Sequence, residues 1–251
     1  LHKDTLPLFG TGEKKLADLI DLQGALAADL YLYNRDHGRM LGADAEFIGA
    51  PRLDDLQCAY ATLEGFIAAA PGRSTAIYSA FDNEEVGSLT KQGADSTFLR
   101  DILDRICTSR GLAPEQSARL YANSFLLSAD NAHAIHPNHP ELHDENNFPV
   151  MNGGIVIKHN AAMNYTTDSV SAAVVKKICQ SAGVPCQSFT FRSDLRSSHT
   201  LGPIAGSHVS VCSADIGLAQ LSMHSAFETA GAKDTAYLAQ AAKAFYQAAL
   251  R

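Results

Sequence analysis

The fold is decided by the stretch Thr75-Ala76-Ile77-Tyr78-Ser79-Ala80-Phe81-Asp82-Asn83-Glu84-Glu85-Val86-Gly87-Ser88. Its first half is apolar, β-branched and aromatic, which predicts a buried strand over 75–81. The acidic string then falls at that strand's carboxyl end, the edge where open α/β sheets bind their ligands. Neighbouring carboxylates at a strand end point in different directions. One of Glu84 and Glu85 can therefore bind a metal ion while the other faces a reacting water. Alone, such a pair reads more readily as a solvated acidic turn.

Outward from this stretch, short strand-like runs alternate with amphipathic helical ones. The pattern predicts further strands over 30–33, 46–48, 124–128, 155–158, 188–191 and 208–213, and helices over 55–70, 96–109, 169–182 and 235–250. In the last helix Leu238, Ala241, Ala242, Phe245 and Ala249 recur at helical spacing and define a buried face. Strand alternating with helix implies an α/β fold, a mainly parallel or mixed sheet flanked by helices on both faces. The His- and Asn-rich stretch 133–147 contains Pro137 and Pro140, with Pro149 just beyond, and reads as a surface loop. Gly10, Gly12, Gly38 and Gly42 interrupt the pattern in 1–45, where a peripheral segment is expected.

The chain has 251 residues, 46% apolar and 19% charged, with a formal net charge of −7. That acidity argues against nucleic-acid and anionic-membrane partners. No apolar run approaches the roughly 20 residues of a membrane-spanning helix. Cys58, Cys107, Cys179, Cys186 and Cys212 are odd in number and widely spaced, as expected of reduced core residues in a cytoplasmic protein. The chain opens on Leu1-His2-Lys3-Asp4, without Met or a signal-peptide pattern, as a processed or shortened product would.

Three more chemical groups fall just after predicted strands. Asp54 follows 46–48, Asp130 ends the run Ser124-Phe125-Leu126-Leu127-Ser128-Ala129, and His224 stands in Leu221-Ser222-Met223-His224-Ser225. Each has an ordinary alternative: a helix N-cap for the aspartates, a satisfied histidine for His224. Together at one rim they suit zinc, cobalt or manganese, because mixed carboxylate and imidazole ligands without thiolate fit a hydrolytic site.

The blocks Asp82-Asn83-Glu84-Glu85-Val86-Gly87-Ser88, Ser128-Ala129-Asp130-Asn131-Ala132-His133-Ala134 and Met223-His224-Ser225 resemble the signature segments of the aspartyl aminopeptidase family. Pro51-Arg52-Leu53-Asp54-Asp55-Leu56 and Arg192-Ser193-Asp194 are similar to that family as well, and the blocks match in order and spacing from about residue 28 onward. The resemblance implies a zinc-exopeptidase, phosphorylase/hydrolase-like α/β/α fold and a dinuclear zinc aminopeptidase removing N-terminal Asp or Glu. It implies Asp54 as the carboxylate bridging two zinc ions, Glu85 and His224 as ligands of one, and Asp130 as a ligand of the other. Glu84 would be the general base, and His133, Lys158 and Tyr165 would bind substrate. Lys158 would sit at the rim, its ammonium offered to the substrate's acidic side chain. His136, His139 and His143 fit no ligand spacing and are expected to be solvated.

The family also has an upstream His-Thr-Asp-Ser-Pro-like segment that supplies a histidine to one zinc, and a separate dimerisation domain. Neither is found here, and His2-Lys3-Asp4-Thr5 does not fit. The expectation is one catalytic domain over 1–251, peripheral over 1–27, with one metal position complete and the other short of its imidazole. The family's homo-oligomer is in question for the same reason. Arg192-Ser193-Asp194-Leu195-Arg196-Ser197-Ser198-His199 departs from the family, which usually has glycine where this chain has Ser-Ser-His. The competing reading is a catalytically impaired chain that binds one metal ion and serves as a scaffold or binding module.

Overall fold

Ile155-Val156-Ile157 is fully buried. An apolar strand of this kind needs partners at both edges and cover on both faces. The computed structural model, which describes residues 6–249 apart from 196 and 198, supplies both. Strand β5 (Ile155–His159) pairs in parallel with β6 (Cys186–Thr190) and antiparallel with β7 (Cys212–Gly217). Strand β7 pairs in parallel with β3 (Phe125–Ala129), completing a four-stranded sheet of order β3-β7-β5-β6.

A second, five-stranded sheet runs β1 (Arg39–Leu41), β2 (Phe47–Ala50), β9 (Glu228–Gly231), β8 (Ala219–Leu221) and β4 (Ala132–His133). Its neighbours are antiparallel except β8 and β4. Two chain segments pass from one sheet to the other side by side: β3 continues through Asp130-Asn131 into β4, and β7 through Leu218 into β8. Backbone bonds from Asp130 N–H to the Ile216 carbonyl (3.1 Å) and from Ala132 N–H to that of Leu218 (2.8 Å) hold them together. At this crossing a Cβ on Gly217 would stand 2.0 Å from the Asp130 carbonyl oxygen and 3.0 Å from Cε of Lys158. Only glycine lets the strands approach so closely.

The β5 alternation sorts the two faces. Ile155 and Ile157 join Ala214 and Ile216 in a core closed by α1 (Leu53–Ala68), α4 (Ser169–Ala182) and α6 (Asp234–Gln247). Val156 looks the other way, toward Tyr165 and Phe189. On that side α5 (Leu201–Val209) begins against Asp215, which accepts hydrogen bonds from Thr200 and Thr166. Cys107 of α2 (Phe98–Ser109) and Tyr121 of α3 (Pro114–Ala122) pack with Val209 of α5. Helix α4 matches its expected bounds because its ends are written locally. Asp168 accepts the Ser171 N–H at 2.7 Å, and Gly183 closes the helix at φ 67°.

Contacts divide the chain into a unit up to Tyr33 and a unit from Asn34 onward. In the first, Lys15 N–H donates to the Asp18 carboxylate beside a single 3-10 turn at Leu16–Asp18, and Leu8 and Leu26 are exposed. The strand expected at 30–33 does not form, and Tyr31 and Leu32 stand exposed.

Three further expectations are corrected. The segment 75–81 forms no regular element and belongs to neither sheet, and Ile77 is exposed. Side chains hold it instead: the Tyr78 hydroxyl donates to the Ala59 carbonyl, and that of Tyr246 to the Ile77 carbonyl. The strand expected over 208–213 starts later, because α5 runs through Val209 and ends at Ser210 with φ 58°. Helix α3 was not anticipated, although Pro114 at its first position and the Gln116 side chain accepting the Ala113 N–H are ordinary start signals. The residues of the expected helix end at 250 lie outside the described residues, as do 1–5, Arg196 and Ser198.

The five cysteines are free, with Cys58, Cys107 and Cys179 buried and Cys186 and Cys212 exposed. Among the described residues no helix is long and apolar enough to cross a membrane.

Helices α1 and α6 meet at Gly65, where a Cβ would lie 2.5 Å from Cβ of Ala242 and 2.7 Å from the Ala239 carbonyl oxygen. Gly65→Ala gains about 1 kcal/mol of helix propensity but overpacks this contact at roughly 1–3 kcal/mol. The expected outcome is a lower urea midpoint than wild type. A higher midpoint would show that the two helices separate freely.

Candidate metal centre

Asp54 stands where α1 is not yet regular: Asp54 and Asp55 have φ/ψ of −80°/118° and −108°/21°, after Arg52 at φ 59°. This backbone buries the Asp54 carboxylate, whose side chain is 5% exposed. Glu84 and Glu85 lie on a 3-10 turn (Glu84–Val86) between Asn83 at φ 62° and Gly87 at φ 104°. Asn tolerates that conformation and glycine adopts it freely. The Asn83 side-chain oxygen is in turn held by Thr90 Oγ1 (2.8 Å) and Gln92 Nε2 (3.1 Å). His224 occupies the turn between β8 and β9 at φ 65°.

The fold brings these segments together. His224 Nε2 lies 3.1 Å from Asp54 Oδ2 and 3.0 Å from Glu85 Oε2. One ligand atom from each of Asp54, Glu85 and His224 falls within 4.8 Å of the others, the only such metal-capable group among the described residues. The other Asp54 oxygen, Oδ1, is buried with no hydrogen-bond partner. A buried carboxylate oxygen without a donor is costly and wants a cation or a proton.

Charge crowding points the same way. Burial and the neighbouring Asp130 carboxylate push Asp54 up to about 9. Burial, then Asp130 and Glu85, push Glu84 up to about 7 and Asp55 up to about 6. The centre thus has an excess of negative charge, an orphaned carboxylate oxygen and an exposed imidazole. Its oxygen and nitrogen donors fit a zinc ion.

Asp130 sits at the crossing between the sheets, and its Oδ2 accepts a hydrogen bond from Lys158 Nζ at 3.1 Å. Lys158 is 2% exposed, also donates to the Asn131 carbonyl at 2.6 Å, and lies 5.5 Å from the Tyr165 ring centroid. Burial opposes its charge most strongly, but the combined pull of Asp130, Tyr165 and Asp215 outweighs it, so the ammonium holds its proton more tightly than an ordinary lysine. The expectation of a free ammonium at an open rim is corrected: strand β5 points Lys158 inward. Tyr165 is buried and stacks on Phe191 with ring centroids 6.4 Å apart.

His133, on β4, lies edge-on to Phe191 at 6.1 Å and lines a cavity of about 270 Å³. His136, His143, Phe189, Phe191 and Arg192 line it too, so His136 and His143 are not simply solvated as expected. His139 pairs with Glu141 at 3.2 Å.

Several residues of the centre escaped the sequence reading. Asn131 receives the Cys58 thiol on its side-chain oxygen (2.8 Å), and its amide donates to Gln57 (3.0 Å) and Gln220 (2.6 Å), a buried network beneath Asp130. Glu228 was passed over as well, although it stands only four residues after His224. Its partners are Asp54 and His224 themselves.

The family model described as "Aminopeptidase I zinc metalloprotease (M18)" matches residues 8–246. A protein of Clostridium acetobutylicum named probable M18 family aminopeptidase 2 is 42% identical over 255 aligned positions, covering 97% of this chain and 59% of its own length. Among solved structures, crystalline prApe1 superposes with a TM-score of 0.80 at 33% identity, covering 85% of this chain and 46% of that one. The S. cerevisiae mApe1 dodecamer gives a TM-score of 0.72 at 31% identity, with 85% and 49% covered. The chain therefore spans about half to three-fifths of the length of the proteins it matches.

The crowded carboxylates set a pH dependence. Their folded pKa values are raised, so their contribution to stability is complete below the ordinary carboxylate range and is lost as pH rises through about 6 to 9. Chelator-treated protein should show a thermal midpoint that falls from pH 5 to pH 9. Saturating zinc at pH 8 should raise it, because zinc at 100 times Kd adds about 2.7 kcal/mol to the free energy of unfolding, and His224→Ala should lose that rise. A midpoint that climbs steadily from pH 5 to 9 in chelator would contradict the crowding.

Proposed function

The chain belongs to the M18 family of aminopeptidase I zinc metalloproteases, and from that premise we propose that it carries the catalytic chemistry of a metal-dependent aminopeptidase. The observation that carries the proposal is the convergence of Asp54, Glu85 and His224 within 4.8 Å, with Glu84 as the next residue in the chain. In this reading Asp54, Glu85 and His224 hold one zinc ion. Asp130 would serve a second ion together with Asp54, and cobalt or manganese would suit the same donors. Bound zinc supplies a Lewis acid for the scissile carbonyl and lowers the pKa of water toward about 7.

The chain's own residues do the rest. Glu84 is half-buried and adjoins the ligand residue Glu85 in the chain, which sets its carboxylate beside the centre as the proton acceptor and donor. It takes the proton of the attacking water and delivers it to the leaving amine. The substrate is a peptide, whose N-terminal residue enters the cavity lined by His133, with Lys158 and Tyr165 buried behind it.

We propose a preference for N-terminal Asp or Glu, supported by the positive charge of Lys158 close to the centre and by the imidazoles of His133, His136 and His143 along the adjoining cavity. Lys158 would act through its field and through its hold on Asp130. The dodecamer solved for mApe1 supports a homo-oligomer here. The free, widely spaced cysteines support the cytoplasm as the compartment.

Two variants test the reading. Glu84→Gln should bind zinc like wild type and lose about 10²- to 10⁴-fold in kcat on an aspartyl anilide. Retained turnover would remove Glu84 as the base. Lys158→Met should lower the ratio of aspartyl to leucyl turnover, and an unchanged ratio would reject the acidic preference.

A further inference from the structure

Glu228 is 2% exposed, opens strand β9, and takes no part in the chemistry above. Its two carboxylate oxygens are both committed. Oε2 accepts the backbone N–H of Asp54 at 3.0 Å, and Oε1 accepts that of His224 at 2.7 Å. One side chain thus grips the main chain of two residues that come from opposite ends of the sequence and supply neighbouring ligand atoms.

Both gripped residues lie outside regular structure. Asp54 breaks the start of α1, and His224 sits at φ 65° in a turn that also holds Ser222 at φ 59°. A non-glycine residue at positive φ persists only where its surroundings over-determine it. Glu228 is itself fixed, because Glu228 pairs with Ala50 in the β2–β9 ladder and β2 leads directly toward Asp54. The sheet therefore sets the position of the carboxylate, and the carboxylate sets the positions of both backbones.

We infer that Glu228 is a positioning residue of the metal centre, clamping Asp54 and His224 at ligand distance before a metal ion arrives. The inference rests on the metal-binding reading of Asp54, Glu85 and His224. Without the clamp, the 222–226 turn is free to relax, and the Asp54 carboxylate and His224 imidazole must be brought together at the expense of binding. The consequence is weaker metal binding and an altered ligand field, with the side chains of Asp54, Glu85 and His224 still present.

The test compares Glu228→Ala, which removes both acceptors, with Glu228→Gln, which keeps one. Zinc affinity is read by competition with a chromophoric chelator, the ligand field from the visible absorption of the cobalt-loaded protein, and folding from the midpoint of the metal-free protein. Glu228→Ala is expected to weaken zinc about 10- to 100-fold and to shift the cobalt bands, and Glu228→Gln to do so less. If Glu228→Ala does not fold, Glu228→Gln decides by the same readings.

Asp234→Asn is the structural control. Asp234 is equally buried and also accepts two backbone N–H groups, those of Asn152 (2.6 Å) and Gly154 (3.0 Å). It should lower the midpoint and leave zinc affinity and the cobalt spectrum unchanged. If it weakens zinc as much as the Glu228 variants do, the clamp is only a stability effect and the inference is overturned. His224→Ala checks the underlying reading: unchanged zinc affinity there brings down the metal centre and the clamp together. If His224→Ala abolishes tight binding while both Glu228 variants stay within about twofold of wild type, against the 10- to 100-fold expected, the clamp alone is overturned.

Discussion

The buried ammonium of Lys158 faces more carboxylate than it can neutralise. It holds the Asp130 carboxylate at 3.1 Å and the Asn131 carbonyl at 2.6 Å. Asp54, Asp55 and Glu84 nearby are left to compete for protons, as their raised pKa values show. An uncompensated group of acids in a low-dielectric setting destabilises a fold unless something positive settles there. The same imbalance that strains the fold would be relieved by a divalent cation. Stability and chemistry are thereby coupled through one set of residues.

The architecture is arranged to deliver these charges to one place. Two sheets share strands that pass from one to the other at Asp130-Asn131 and Leu218, and β5 carries Lys158 to that crossing from the adjacent position. Gly217 permits the approach, and the side-chain amides of Gln57, Asn131 and Gln220, hydrogen-bonded through Asn131, fill the space beneath it. Asp54, Glu85 and His224 arrive differently, each from a stretch of irregular backbone. Regular strands supply rigidity and irregular turns supply direction, a division common to sites that need several side chains at one point.

Much of this was legible one segment at a time. Helix α4 announced both its ends through Asp168 and Gly183, and β5 announced its burial through an unbroken apolar run. The acidic pair Glu84-Glu85, bracketed by Asn83 and Gly87, marked a turn of unusual backbone. Other segments misled for physical reasons. Residues 75–81 have the composition of a buried strand, yet strand formation requires a neighbour with free hydrogen-bonding groups, and composition carries no information about that neighbour. Val209 and Val211 look like strand residues, but the helix that begins at Leu201 continues through Val209 and the strand starts beyond it.

The acidic string that opened the reading keeps its place in the site, although the strand expected to carry it forms no regular element. By itself the sequence determined the inventory: which carboxylates, imidazoles and lysine are available, their order, and the local turns that present them. Those properties depend on side-chain chemistry and on backbone preferences within a few residues. Only the tertiary structure decided that Lys158 turns inward to Asp130, that His136 and His143 join His133 along a cavity, and that Glu228 ties Asp54 to His224. Those outcomes depend on distances between residues far apart in the chain, and such distances are fixed by strand register and close packing.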